Sequence, residues 1–423
     1  MDQQLKRNVI RYIEESKDEI IELCANMVRI PSENPPGDMS EIALFIQNYL
    51  EDHDLPVQKY EPEKGRISLV STFGNKREPS LILNGHMDVV PAGDKNRWDF
   101  PPFSGRIKDG KILGRGSTDM KGGLTCLIAA FSIINQFVDN LPGTITLSVV
   151  PDEETGGNYG TSWLVDNEKV RGNACIVGEP GSLDKTYVGE KGACWLRLSS
   201  KGIPAHGSLP VFGENAIEKL IPAIPLIKEI EQKKVNVPVE IQEIIQDSKV
   251  FFTEISQSRK VADKIVGDIL DHNTVNFGLI RGGSKINMVP ETCTVEVDIR
   301  IPPGTTSKEV KRQVLDLLAK ENLDVTCELI MTSDPNYTQP GEHIHTLLAQ
   351  NVKNRTGSEL KPLFATGFTD GRFFRLNGIP TLNYGPGDVS NIHGFNEYIK
   401  TKDIITATKI ITNTIIDYIW DYS

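Results

Sequence analysis

The chain has 423 residues, 39% hydrophobic and 24% charged, an ordinary balance for a globular enzyme but too long for one small core, so two domains are expected. Its net charge of -11, with no block of Lys and Arg, excludes a nucleic-acid binder held by phosphate contacts. No apolar run reaches the roughly 18 residues that span a bilayer, and the polar N-terminal stretch lacks a signal-peptide core, which points to the cytoplasm and away from a membrane.

In chain order, hydrophobic periodicity predicts amphipathic helices over residues 4–28 and 38–53, the second opened by Asp38 as cap with Glu41 three positions on. Residues 80–84 read as a short buried strand, with His86 at its C-terminal end. A helix over 122–137 follows Asp119. The β-branched run 144–150 is a strand ending just before Glu153 and Glu154, and 174–177 is another ending just before Glu179. Strands alternating with helices predict an α/β fold with a largely parallel central sheet, whose ligands bind beyond the carboxyl ends of the strands. The pattern changes near residue 191. A strand over 192–200, a helix over about 214–231, strands over 274–280 and 292–301, a helix over 307–320 capped by Ser307, and a strand over 324–331 follow. This β-α-β-β-α-β order is that of a ferredoxin-like α+β layer, with residues 232–270 as an extra, mostly helical segment. A helix over 342–355 and a strand over 380–384 resume the α/β pattern. Residues 1–190 and 334–423 are thus expected to form one split catalytic domain, with 191–333 inserted.

Five separated patches carry residues that hold metals. They are His86 in Gly85-His86-Met87-Asp88, Asp119 in Ser117-Thr118-Asp119-Met120-Lys121, the pair Glu153-Glu154, Glu179 before Pro180, and His393 before Gly394. Two imidazoles and three carboxylates suit a pair of divalent ions in an open, hydrolytic site better than a closed structural zinc. Asp88 is placed to orient His86. Asp119 can bridge two cations with its two oxygens. Of the adjacent glutamates, one can bind metal while the other faces a water. His206, in the inserted domain, reads as a substrate contact. The glycines before Asp119 fit neither a nucleotide fingerprint nor a Walker loop, and no Gly-x-Ser-x-Gly or His-Glu-x-x-His occurs. None of the six cysteines forms Cys-x-x-Cys, so they read as reduced core thiols.

Together, Gly85-His86-Met87-Asp88-Val89-Val90-Pro91, Gly114-Arg115-Gly116-Ser117-Thr118-Asp119-Met120-Lys121-Gly122-Gly123, Asp152-Glu153-Glu154, Gly178-Glu179-Pro180 and His393-Gly394-Phe395-Asn396-Glu397 resemble, in content and order, the motifs of a known family. It is the family of co-catalytic zinc amidohydrolases that includes acetylornithine deacetylase, succinyl-diaminopimelate desuccinylase, aminoacylase and the glutamate carboxypeptidases. The resemblance implies a zinc-peptidase catalytic domain with an inserted lid and dimerisation domain, hence a homodimer. It implies two divalent ions, zinc first, with cobalt or manganese as alternatives. His86 and Glu179 would bind one ion and Glu154 and His393 the other. Asp119 would bridge them and precede a cis peptide to Met120. Glu153 would be the general base, with Asp88 orienting His86. His206 would reach the partner subunit's active site. Asn287, Arg300 and the loop containing Gly367 and Thr369 match substrate contacts. Desuccinylases of the family show Arg-Arg-Gly at the lid entry, where this chain has Glu190-Lys191-Gly192. Lysine can still pair with a second carboxylate, without the bidentate fork, so Lys191 is a candidate contact and a succinyl group is less favoured. The expected substrate is an N-acyl amino acid, N-acetylornithine first, with its α-carboxylate at Arg300. Succinyl-diaminopimelate, dipeptides or other short peptides, and formylaminopyrimidines are the alternatives. A catalytically inactive binding module would instead have lost a ligand or Glu153.

Overall fold

The computed structural model describes residues 2–74, 78–258 and 266–421. The chain divides into two compact units, one of Met1–Val188, Tyr337–Pro362 and Thr369–Ser423, the other of Gly189–Asn336 and Leu363–Phe368.

In the first unit a mixed sheet runs in the order Gln58–Glu63, Arg66–Gly74, Thr144–Val150, Ser80–His86, Ala174–Val177, Thr381–Asn383 and then Lys185–Glu190. Its four central strands, Thr144–Val150 to Thr381–Asn383, are parallel, and antiparallel strands flank them. Every residue of Ser80–His86 is buried, as a parallel strand covered on both faces requires. The helix Gly122–Phe137 is apolar nearly all round and packs against both the sheet and the C-terminal helix Thr401–Asp421. Its start lies so close to the end of Ala174–Val177 that a Cβ on Gly123 would sit 1.7 Å from the Gly178 carbonyl oxygen. Only glycine permits that approach, and it brings the Asp119 turn beside Glu179.

In the second unit four strands form an antiparallel sheet in the order Thr274–Gly282, Thr292–Ile301, Gly192–Lys201, Thr326–Ser333. This is the ferredoxin-like arrangement. Strict alternation puts Cys194, Leu196, Leu198, Val295, Val297 and Ile299 into one core, covered by apolar residues of the helices Ala216–Leu220, Ala223–Lys228 and Ser307–Lys320. The other face carries Trp195, Arg197, Glu296, Asp298 and Arg300.

Several local expectations are corrected. Residues 4–28 are two helices, Asp2–Glu15 and Lys17–Arg29, because Ser16 leaves the helical basin at φ -94° and ψ 11°. Asp38 does not box with Glu41; its Oδ1 accepts from the N–H and hydroxyl of Ser40, where the helix begins. The expected helix over 214–231 breaks at Pro222, which has no N–H to continue it. Thr306, not Ser307, caps Ser307–Lys320, in a reciprocal box with Glu309. Of the extra segment, Gln242–Ser258 is helical, and residues 259–265 lie outside the described residues. All six cysteines are free, five of them buried. Among the described residues no helix is long and apolar enough to cross a membrane.

Candidate metal centre

Three neighbouring parallel strands deliver three of the metal-ligating patches to one edge of the sheet. His86 ends the central strand, Glu153 and Glu154 follow the strand on one side, and Glu179 follows the strand on the other. Asp119 reaches the same place from the turn before Gly122–Phe137, and its peptide to Met120 is cis. His393 arrives from a loop in which it holds the left-handed conformation, at φ 59°.

The two oxygens of Asp119 face two different imidazoles. Oδ1 lies 3.3 Å from Nε2 of His86, and Oδ2 lies 3.2 Å from Nε2 of His393. The same His86 nitrogen is 3.8 Å from Glu179, and the same His393 nitrogen is 3.2 Å from Glu154. Two half-sites therefore share one carboxylate. Behind them, Asp88 is fully buried. Its carbonyl takes the Nδ1 side of His86 at 2.9 Å, while its carboxylate accepts from the backbone N–H groups of Glu153 and Glu154 at 3.2 and 3.3 Å. One aspartate thus sets both the ring of His86 and the turn that carries the two glutamates. Asn34, between Glu33 and Pro35, donates to Asp88 at 2.9 Å.

The electrostatics are those of a site built for cations. Burial, then the charges of neighbouring carboxylates, push Glu153 and Glu179 well above the usual carboxylate range. Burial and Asp119 also raise Glu154. Against burial, the two imidazoles hold Asp119 well below its ordinary value. Hydrogen bonds to Asp119 and Glu154 lift His393 to about 10. Nε2 of His86 and one oxygen each of Glu154 and Glu179 are buried without a hydrogen-bond partner. Such atoms are costly to bury unless something binds them, and two nitrogens with carboxylate oxygens are the donor set of a hydrolytic divalent metal centre. The residues present fit the group.

A pH prediction follows for the metal-free protein. His393 titrates near 6.5 when unfolded but at about 10 here. The stability its charge contributes is therefore complete below pH 6.5 and is lost as pH rises toward 10; Glu153 and Glu179, also raised, act in the same sense. Burial pushes Lys121 and Lys191 down to about 7, which acts in the opposite sense, so the melting-temperature advantage of metal-free wild type over His393→Asn, rather than the melting temperature itself, is expected to fall across that window. A ligating imidazole must be neutral, so loading divalent ions at pH 7.5 is expected to release about one proton or more per ion. Calorimetry in buffers of different ionisation enthalpy measures this, and loading without proton release would remove His393 from the ligand set.

The remaining site expectations fall in different places. Thr369 belongs to the first unit, where its hydroxyl accepts from Gly371 and Asn383. Lys191, His206, Asn287, Arg300 and Gly367 belong to the second. His206 and Asn287 are exposed on adjoining segments, joined by the Gly207 N–H to the Asn287 carbonyl at 2.8 Å. Arg300 is held through Nε by both oxygens of Asp298, at 2.9 and 3.0 Å, and lies over the ring of Phe368. Lys191 differs from expectation. It is 1% exposed, and its ammonium donates to the carbonyls of Ile269 at 2.6 Å and His272 at 2.9 Å. Its ammonium is engaged inside the unit rather than offered to a substrate. The structure adds Arg115, Asn34 and Glu397 to the surroundings of the site; Arg115 and Glu397 lie inside the Asp119 and His393 motifs, where their charge is the available signal, and Asn34 carries none.

A family model described as peptidase family M20/M25/M40 matches residues 82–417. A probable succinyl-diaminopimelate desuccinylase of Staphylococcus epidermidis is 29% identical over 394 residues, covering 91% of this chain and 94% of its own. Among solved structures, the M20 family metallo-carboxypeptidase Sso-CP2 of Sulfolobus solfataricus is 20% identical, with a TM-score of 0.81 over 95% of this chain and 99% of its own. The di-peptidase Dug1p of Saccharomyces cerevisiae is 18% identical, with a TM-score of 0.77 over 99% of both chains. At those identities the structures speak for the fold.

Proposed function

The chain belongs to peptidase family M20/M25/M40, a family of metal-dependent amide hydrolases, and within it we propose a deacylase that cleaves the amide bond of an N-acyl amino acid with two divalent ions, zinc first. The observation that carries the reading is the pair of Asp119 oxygens, each opposed by a different imidazole.

His86 and Glu179 would hold one ion, Glu154 and His393 the other, and Asp119 both. When bound, such ions supply a water acidic enough to act as nucleophile at neutral pH and polarise the scissile carbonyl. Glu153 takes the proton of that water as it attacks, then gives it to the leaving amine. His206 donates a hydrogen bond to the developing oxyanion. Arg300 meets the substrate α-carboxylate; with Nε fixed by Asp298, its two terminal nitrogens are presented as a fork suited to a carboxylate. Asn287, Gly367 and Thr369 line the remainder of the substrate. The second unit would serve as lid and as the interface of a homodimer. The exposure of Val211 (80%), Phe212 (74%) and Ile286 (104%) near His206 and Asn287 supports that role.

A succinylated substrate is the second reading, favoured by the Staphylococcus epidermidis relative's name. With Lys191 buried on backbone carbonyls, the second carboxylate of such a substrate lacks that partner, which favours the acetyl group. The test is hydrolysis by the metal-loaded protein of N-acetylornithine, other N-acyl amino acids, succinyl-diaminopimelate, dipeptides and a formylaminopyrimidine. The highest kcat/KM is expected for an N-acyl amino acid with a free α-carboxylate. Turnover confined to dipeptides would replace the deacylase reading with a peptidase.

A further inference from the structure

We propose that Glu397 is a positioning residue for the metal centre, fixing the bridging carboxylate of Asp119 and, through Arg115, the loop of His393; this rests on the two-ion reading above. Glu397 is fully buried, four residues past His393. Its Oε1 accepts the backbone N–H of Thr118 at 2.9 Å and that of Asp119 itself at 3.2 Å. Its Oε2 accepts from Nη1 of Arg115 at 2.6 Å, while Nη2 of the same guanidinium faces the His393 carbonyl at 3.5 Å. The Gly114 N–H donates to the Glu397 carbonyl at 2.9 Å, and the Thr118 hydroxyl to the Tyr398 carbonyl at 2.7 Å.

The loop that supplies the shared ligand and the loop that supplies a second-site ligand are thus tied at one buried carboxylate. Both loops need a tie. Asp119 sits at φ -117° and ψ 101°, outside the helical basin, so no helical ladder fixes it. His393 holds a left-handed conformation that a side chain resists. The His393 loop is latched again by Asn396, which exchanges hydrogen bonds with Asp99 at 2.7 and 2.9 Å. Satisfying two buried N–H groups also serves stability, so the melting temperature of each metal-free variant separates that role from positioning. Groups that orient ligands in this way change metal affinity or activity by about 10–100-fold when altered.

Glu397→Gln keeps an oxygen for the two N–H groups but removes the charge opposite Arg115. Arg115→Lys keeps a charge opposite Glu397 but loses the fork. The experiment titrates metal-free wild type and both variants with Co²⁺, following visible absorption and calorimetry, with the melting temperature of each metal-free protein measured alongside. Wild type is expected to take two equivalents. Glu397→Gln is expected to bind Co²⁺ about 10–100-fold more weakly and to show a changed absorption band, with kcat lowered and KM little changed. Arg115→Lys is expected to weaken chiefly one of the two equivalents. Unchanged affinity and spectrum in Glu397→Gln would overturn the proposal and leave the two-ion reading standing, as would affinity losses that merely follow the melting temperature across both variants. Wild type that binds no Co²⁺ would overturn both.

Discussion

Glu153→Ala is expected to lower turnover by about 10²–10⁴-fold while the protein still binds two divalent ions. The carboxylate of Glu153 lies in one group with His86 and Glu179, their ligand atoms within 4.8 Å of one another. That position admits two roles, base or ligand. Two observations favour the base. Glu154, not Glu153, pairs with His393. Asp88 holds the backbone of both glutamates, so one side chain can enter the second half-site while the other stays beside the first. Glu153→Gln, which keeps the volume, is expected to be as inactive as the alanine variant. Metal analysis separates the roles: a variant that regains full turnover once excess metal restores its content would make Glu153 a ligand.

The centre was legible in part because three of its five patches lie at strand ends. Short β-branched and apolar runs located residues 144–150 and 174–177, matching Thr144–Val150 and Ala174–Val177, and a parallel sheet sends the ends of its strands to one edge. What was not legible depended on contacts across long stretches of chain. The bond from Thr118 to Glu397 joins residues 279 apart, and no local pattern announces it. Lys191 stands at the lid entry, where the resemblance places a carboxylate contact, and lysine is seldom buried; only the fold shows the carbonyls of Ile269 and His272 turned toward it. Thr306 and Ser307 offer the same capping hydroxyl one residue apart, and Glu309, three positions after Thr306, is what decides between them.

His206→Ala is expected to lower kcat by about 10²–10³-fold, the usual cost of one oxyanion donor, and to raise KM far less. The ring is set for donation. The backbone N–H of Ser208 points at Nδ1 at 3.2 Å, so Nδ1 is an acceptor and the proton of the neutral imidazole resides on Nε2. The Ser208 hydroxyl, 2.7 Å from the same nitrogen, is then the donor of that contact. A loss confined to KM would assign His206 to ground-state binding. If His206 acts on the partner subunit's centre, Glu153→Ala and His206→Ala chains mixed in one dimer complement each other. One active site of each mixed dimer then lacks both groups, and the other has both. Random pairing of equal amounts is expected to restore about a quarter of wild-type activity in a two-fold dimer. If His206 acts within its own chain, every site in the mixture lacks one group and no activity returns. Co-refolding the two inactive variants and measuring turnover therefore decides whether this surface histidine serves its own centre or its neighbour's.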